Sequence, residues 1–264
     1  MTESFKGTAF VTGASSGLGA IYADRLARRG YDLVLIARDK ARMDTLAARL
    51  HHETGSRVVV LPADLSDAAQ IAHVAETIAA APDIAILVNN AGISLTGTLG
   101  TAPAADVSRL VMVNVLAPTL LAQAALQAFK AKGAGAIINI ASVLALAPEM
   151  LDAVYSGSKA FLLNLSQGLT RETQGTDIHI QAVLPGATRT EIWERSGMDI
   201  NAMPAERVMD AADLVDAALL GFDRGETVTI PPLHDLADWD AMQAARLRLH
   251  TQISRREVAP RYAV

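Results

Sequence analysis

Cysteine is absent from this chain, which excludes disulfides, thiolate metal sites and cysteine nucleophiles together and fits a reducing compartment. No run of Lys and Arg is dense enough to form a nucleic-acid footprint, and 23 basic against 28 acidic residues leave a net charge of −5; nucleic acid is not an expected partner. The six histidines lack a His-Glu-x-x-His spacing, so no metal site is expected. No Gly-x-Ser-x-Gly elbow surrounds Ser142, which argues against a serine hydrolase. Apolar stretches such as Ile84 to Val88 read as too short to cross a bilayer. Only a few residues precede the first apolar run, Ala9-Phe10-Val11, so neither membrane association nor a secretory leader is expected, and the chain reads as soluble and cytoplasmic. Internal repeats and low-complexity linkers are missing as well, and residues 1–264 read as a single domain.

What is present is interior. A length of 264 residues with 51% hydrophobic composition suffices to bury one complete sheet. Apolar runs of strand length recur at Thr8–Thr12, Asp32–Ala37, Val58–Pro62, Ile84–Asn89, Ala136–Ala141, Ile178–Leu184 and Thr227–Ile230. Between them Ala20–Arg29, Lys40–Glu53, Ala68–Ala80, Ala104–Lys132 and Tyr155–Glu172 carry residues at helical spacing. That alternation predicts an α/β fold with a parallel sheet covered on both faces. From about residue 188 the alternation lapses around Trp193, Met198 and Met203, before a helix near Ala211–Gly221 and a tail helix near Asp238–Gln252. Residues 188–225 are read as an irregular lid or an oligomer contact, and 232–264 as a C-terminal tail.

The run Thr12-Gly13-Ala14-Ser15-Ser16-Gly17-Leu18-Gly19 stands where the first strand must turn into a helix. Gly13 permits a tight turn, Gly17 lets the backbone approach a phosphate, and Gly19 lets the helix pack close to the sheet, with Ser15, Ser16 and Leu18 as further contacts. The second strand ends on Ala37 and is followed by Arg38. A small residue and then a cation suit a ribose 2′-phosphate better than a 2′-hydroxyl, so NADP(H) is favoured over NAD(H), although Asp39 is adjacent. Asp64 and Leu65 close the third strand where an adenine would lie, and Asn89-Asn90-Ala91-Gly92 closes the fourth.

Tyr155 and Lys159 are four residues apart, on one face of a predicted helix. A free phenol titrates near ~10, so proton transfer near neutrality asks for roughly 4 kcal/mol of phenolate stabilisation, which a neighbouring ammonium and a cationic nicotinamide could supply. Ser142 ends the apolar strand before this helix, and ligands of open α/β sheets bind beyond the carboxyl ends of strands. Alone, Tyr-x-x-x-Lys is a weak motif; the combination carries the reading.

In order and spacing, Thr12–Gly19, Asp64, Asn89–Gly92, Asn114, Ser142, Tyr155, Lys159 and Pro185-Gly186 with Thr188 resemble the short-chain dehydrogenase/reductase family in its single-domain form, over residues 8–190. The resemblance implies a doubly wound, seven-stranded Rossmann-type sheet and hydride transfer between nicotinamide C4 and a carbonyl or alcohol carbon. It implies Tyr155 as proton donor or acceptor, Lys159 as the ribose anchor that lowers the phenol pKa, Ser142 as a hydrogen-bond partner of the substrate oxygen, and Asn114 as the anchor of a water in the proton relay. Pro185, Gly186 and Thr188 would touch the nicotinamide side.

Val143, Leu144, Leu146, Met150, Leu151, Ile192, Trp193 and Met198 are expected to border the substrate, with Leu144, Met150 and Trp193 foremost. Their apolar character fits a hydrophobic ketone or aldehyde. The family resemblance also suggests that the faces carrying Leu120, Leu121, Phe161, Leu162 and Leu165 pair across a two-fold axis in a homodimer or homotetramer. The competing readings are a non-catalytic protein that senses NADP(H) and, less compatible with the glycine spacing, a sugar epimerase.

Overall fold

The computed structural model describes residues 6–150, 152–195 and 199–262; Leu151 and Met198, named above for the pocket, lie outside the described residues. Strands β1 (Thr8–Thr12), β2 (Asp32–Ala37), β3 (Val58–Pro62), β4 (Ile84–Asn89), β5 (Ala134–Ile140), β6 (Asp177–Val183) and β7 (Val228–Thr229) form one parallel sheet in the order β3-β2-β1-β4-β5-β6-β7. Residue alternation sends Ala9 and Val11 of β1 to one face and Phe10 to the other. The first face is covered by α1 (Gly17–Arg28), α2 (Lys40–Thr54) and α8 (Ala211–Asp223), through Tyr22, Leu26, Met43, Leu50, Val215 and Leu219. The second is covered by α3 (Ala68–Ala79), α5 (Ala117–Lys132) and α6 (Ala153–Glu172), through Ile71, Ile78, Leu121, Phe129 and Leu169. Strand order reverses between β1 and β4, which opens a crevice at their carboxyl ends.

Three expectations need correction. The helix foreseen over Ala104–Lys132 is continuous but not uniform: α4 (Ala104–Val111) passes into a π-helical turn, Met112–Leu116, before α5. Pro118 has no N–H to donate to the carbonyl one turn back, and widening the helix ahead of it relieves that conflict. At 29 residues this helix is long and apolar enough to cross a bilayer, contrary to the reading of the short runs, but Leu121, Ala125 and Phe129 bury its apolar side against the sheet. Lastly, α8 is not part of a lid: Leu214, Val215, Ala218 and Leu219 are inaccessible core residues. The irregular segment is therefore the stretch before it, comprising the short helix α7 (Ile192–Arg195) and 3-10 turns at Ile200–Ala202 and Ala205–Arg207.

The chain separates into two compact units, Met1–Pro231 and Pro232–Val264. The first holds the whole sheet. The second consists of α9 (Leu236–His250), capped by Asp235 through a 2.9 Å bond from the Ala237 N–H, and a 3-10 turn at Pro260–Tyr262; Leu236, Leu247, Leu249, Ile253 and Tyr262 are exposed.

Candidate active site

The glycine turn links β1 to α1, and each glycine is needed for its own reason. Gly13 and Gly17 adopt φ of +67° and +53°, where a Cβ strains the backbone. Gly19 is helical, but a Cβ there would lie 2.3 Å from the Gly13 carbonyl oxygen and 2.5 Å from Asn90 Nδ2. It does not line the cleft, and its surroundings call for the close packing of α1 on the turn that its place in the glycine run suggested. Asn90 braces the turn: its Nδ2 donates to the Thr12 and Gly13 carbonyls at 2.9 and 3.4 Å, and the Thr12 hydroxyl accepts from the N–H groups of Asn90 and Ala91. No acidic side chain occupies the first turn of α1, which leaves its positive end to an incoming anion. A turn with no room for side chains, aimed by a helix N-terminus, fits a dinucleotide pyrophosphate.

At the end of β2, Arg38 is exposed, lines the same cleft and makes no salt bridge among the described residues. Asp39 is used as the cap of α2, accepting from the Arg42 N–H at 3.0 Å. Arg42 adds a second cation to the cleft wall and pairs with Glu191. Asp64, with Leu65, Ala91 and Gly92, forms the neighbouring wall. Burial pushes the Asp64 carboxyl up, but bonds from the Ser66 hydroxyl and N–H, with the charges of Arg38 and Arg109, outweigh it and hold the group below the usual carboxylate range.

Ser142 follows the end of β5 and is buried; its Oγ accepts from the Leu144 N–H at 3.2 Å and donates to the Pro185 carbonyl at 3.5 Å. Tyr155 lies in the first turn of α6, where the Asp152 carboxylate caps the helix through a 2.7 Å bond from the Tyr155 N–H. Lys159 is buried, donates from Nζ to the Ile140 carbonyl at 2.8 Å and lies 5.5 Å from the centre of the Tyr155 ring. Burial pulls this amine down to about 8. The phenol is pushed up to about 12, by burial first and then by the Asp152 carboxylate, against the Ser142 hydrogen bond. The net effect of the surrounding protein groups on the phenol is thus upward, against the lowering expected from the Tyr155–Lys159 pair.

Asn114 sits in the π turn. Its carboxamide is held at both ends: Oδ1 accepts from the Ile93 N–H at 2.9 Å, and Nδ2 donates to the Ile93 carbonyl at 2.8 Å and to Ser158 Oγ at 3.1 Å. It therefore clamps the loop after β4 against α6. A Cβ built at Gly92 would lie 3.4 Å from Lys159 Nζ and 3.6 Å from Asn114 Oδ1, so that loop brings the amine and the amide together.

One cleft of about 710 Å³ joins Gly13, Ser15, Ser16, Gly17 and Leu18 to Ser142, Tyr155, Lys159, Pro185, Gly186 and Thr188, while Asn114 stands outside its lining. Beyond Tyr155 it is walled by Val143, Leu144, Met150, Ile192 and Trp193, as expected, whereas Leu146 is exposed and stands outside the lining. The indole N–H of Trp193 donates to the Thr188 carbonyl at 2.8 Å, which orients the ring. Sequence reasoning missed Arg42, Arg109 and Glu191 of the lining and placed Met203 only in the irregular segment. Only Arg42 left a signal: a cation in the first turn of a helix opposes the helix dipole.

The comparisons agree with this geometry. The short chain dehydrogenase family is matched over residues 7–201. A short-chain dehydrogenase from Sphingobium yanoikuyae, solved in complex with NADPH, is 50% identical, with a TM-score of 0.95 over 97% of this chain and 100% of that one. The bulky-bulky ketone specific alcohol dehydrogenase from Comamonas testosteroni is 46% identical, with a TM-score of 0.90 over 98% of this chain and 99% of that one. Human 17-beta-hydroxysteroid dehydrogenase type 3 is 33% identical over 185 residues, 69% of this chain, which spans 59% of the human protein's length. The chain belongs to the short-chain dehydrogenase/reductase family, a class of oxidoreductases with a Rossmann-type sheet.

Proposed function

We propose that this protein is an NADP(H)-dependent reductase of ketones carrying bulky apolar groups, working reversibly as a secondary-alcohol dehydrogenase. The observation that carries the reading is one cleft with the Tyr155 phenol and the Ser142 hydroxyl at its apolar end and the arginines Arg38, Arg42 and Arg109 in its lining. When bound, the cofactor supplies or accepts the hydride at C4 of its nicotinamide. The residues do the rest. Gly13 to Leu18 and the α1 N-terminus hold the pyrophosphate, Arg38 and Arg42 face the 2′-phosphate, and Asp64 and Leu65 border the adenine. Lys159, an ammonium below about pH 8, holds the adjacent ribose. Ser142 orients the substrate oxygen, and Tyr155 gives it a proton in reduction or takes one in oxidation. Asn114 acts by keeping the β4 loop and α6 in register.

Leu144, Met150, Ile192, Trp193 and Met203 favour a substrate with apolar bulk on the carbonyl, in keeping with the ketone specificity of the Comamonas relative. Homo-oligomerisation through α4, the π turn after it and α6 is supported by the exposure of Val111, Leu116 and Phe161, whereas Leu121 and Leu162, expected on the pairing faces, are buried in the core. The test of the reading is a ketone and alcohol panel followed by absorbance of the reduced cofactor. Nucleotide binding without turnover across the panel would favour the sensor reading instead.

Arg38→Asp should weaken NADPH by about 10- to 100-fold and spare NADH, since a charge-assisted phosphate contact is replaced by repulsion. An unchanged ratio of the two dissociation constants overturns the 2′-phosphate role. Asp152→Asn should leave thermal stability nearly untouched, because Asn caps a helix as well as Asp. It removes a charge that raises the phenol pKa. Reduction needs the protonated phenol, so its alkaline decline should move to lower pH, and oxidation at a fixed pH should speed up. Superimposable pH profiles in both directions would remove Asp152 from the mechanism.

A further inference from the structure

The loop that leaves β4 carries Ser94 into the wall of the cleft. Asn114 bonds both the N–H and the carbonyl of the preceding residue, Ile93, at 2.9 and 2.8 Å, so the backbone that delivers Ser94 is set before a substrate arrives. The Ser94 hydroxyl, half-buried, donates to Oδ2 of Asp152 at 3.5 Å across a separation of 58 residues. The other carboxylate oxygen of Asp152, Oδ1, accepts from the Tyr155 N–H at 2.7 Å, which fixes the carboxylate at the start of α6. A carboxylate only accepts hydrogen bonds, so it directs the serine proton toward itself and leaves the serine oxygen with lone pairs to offer. At 3.5 Å the bond is long for O–H···O, and the hydrogen-bonding capacity of the hydroxyl is far from spent. Asp152 itself stands outside the lining, whereas Ser94 shares the cleft with Tyr155, Val143, Leu144 and Trp193.

We propose that Ser94, its proton turned to Asp152, is a specificity-determining residue that accepts a hydrogen bond from the substrate, and that the favoured substrates are hydroxyketones with apolar bulk on one arm of the carbonyl and a hydroxyl on the other. The inference rests on the ketone reductase reading above and narrows its substrate class. The apolar wall receives the bulky arm, and the hydroxyl of the other arm donates to the serine oxygen. A plain methyl in that place offers the serine nothing, and an ether oxygen brings lone pairs against lone pairs. One hydrogen bond made by the right substrate and missed by the wrong one is worth about three- to tenfold in kcat/KM.

The test is kcat/KM of the full chain with NADPH on acetophenone, α-hydroxyacetophenone and α-methoxyacetophenone, for the native protein and for Ser94→Ala. The hydroxy and methoxy ketones share the electron withdrawal of an α-oxygen and differ in whether that oxygen can donate. Ser94→Ala should lower the preference for the hydroxy ketone about three- to tenfold, by the same factor against the methoxy ketone and against acetophenone. Unchanged ratios overturn the assignment. A fall confined to the methoxy comparison also overturns it, since that result reports space at the site and not a donor. Loss of turnover on all three ketones in the variant would make Ser94 a structural support and likewise ends the proposal. A native chain that binds NADPH yet reduces none of these ketones or of the wider panel overturns the reductase reading and this assignment with it, whereas native turnover with unchanged ratios strikes the Ser94 role alone.

Discussion

Tyr155→Phe should lower turnover by about 10²- to 10⁴-fold, the usual contribution of a positioned general acid or base, while the dissociation constant for NADPH stays within a few-fold of native. The substitution deletes one oxygen. The ring that lies 5.5 Å from Lys159 Nζ remains, as do the Asp152 cap on the Tyr155 N–H and the Lys159 bond to the Ile140 carbonyl. What disappears is the hydroxyl that shares the apolar end of the cleft with Ser142. Steady-state turnover on a responsive ketone and a fluorescence titration with NADPH separate the two quantities. Native-like turnover ends the proton-transfer role of Tyr155. Loss of nucleotide binding together with turnover makes the residue a structural support.

Gly19→Ala should destabilise the fold by about 3 kcal/mol, toward the upper end for overpacking a filled site. It should also weaken nucleotide binding by more than tenfold. The new methyl would sit 2.3 Å from the Gly13 carbonyl oxygen and 2.5 Å from Asn90 Nδ2, and neither is a free end that can swing aside. Asn90 is held by its bonds to the Thr12 and Gly13 carbonyls, and Gly13 is backbone in the turn that receives the phosphates. In a chain of this length the stability loss corresponds to a fall in melting temperature of roughly 6–12 °C. Calorimetry and a nucleotide titration check both effects; a native melting temperature with native affinity would mean that α1 shifts freely, and Gly19 would then be dispensable to the turn.

Much of the architecture was legible because strand and helix signals are local. All seven strands fall where the apolar runs put them. The bounds of β1, β2, β3 and β4 agree residue for residue, while β5 and β6 begin earlier and β7 is shorter. The helix from Ala104 was legible in extent but not in form, since the π turn around Asn114 comes from a conflict with Pro118 that periodicity does not report. The candidate set was legible through its order along the chain, and Ser142, Tyr155 and Lys159 line one cleft in the structure.

By itself, the chain of residues determined the parallel sheet, the glycine turn and the chemical identity of the groups at the strand ends, because each is set by composition and spacing within a few tens of residues. Tertiary structure alone decided that α8 belongs to the core, that Arg42 meets Glu191, and that the Tyr155 phenol is raised by burial and by Asp152. The reason is physical. Close approach, desolvation and ion pairing between residues as distant as 42 and 191 exist only once the chain has folded, and no local pattern encodes them.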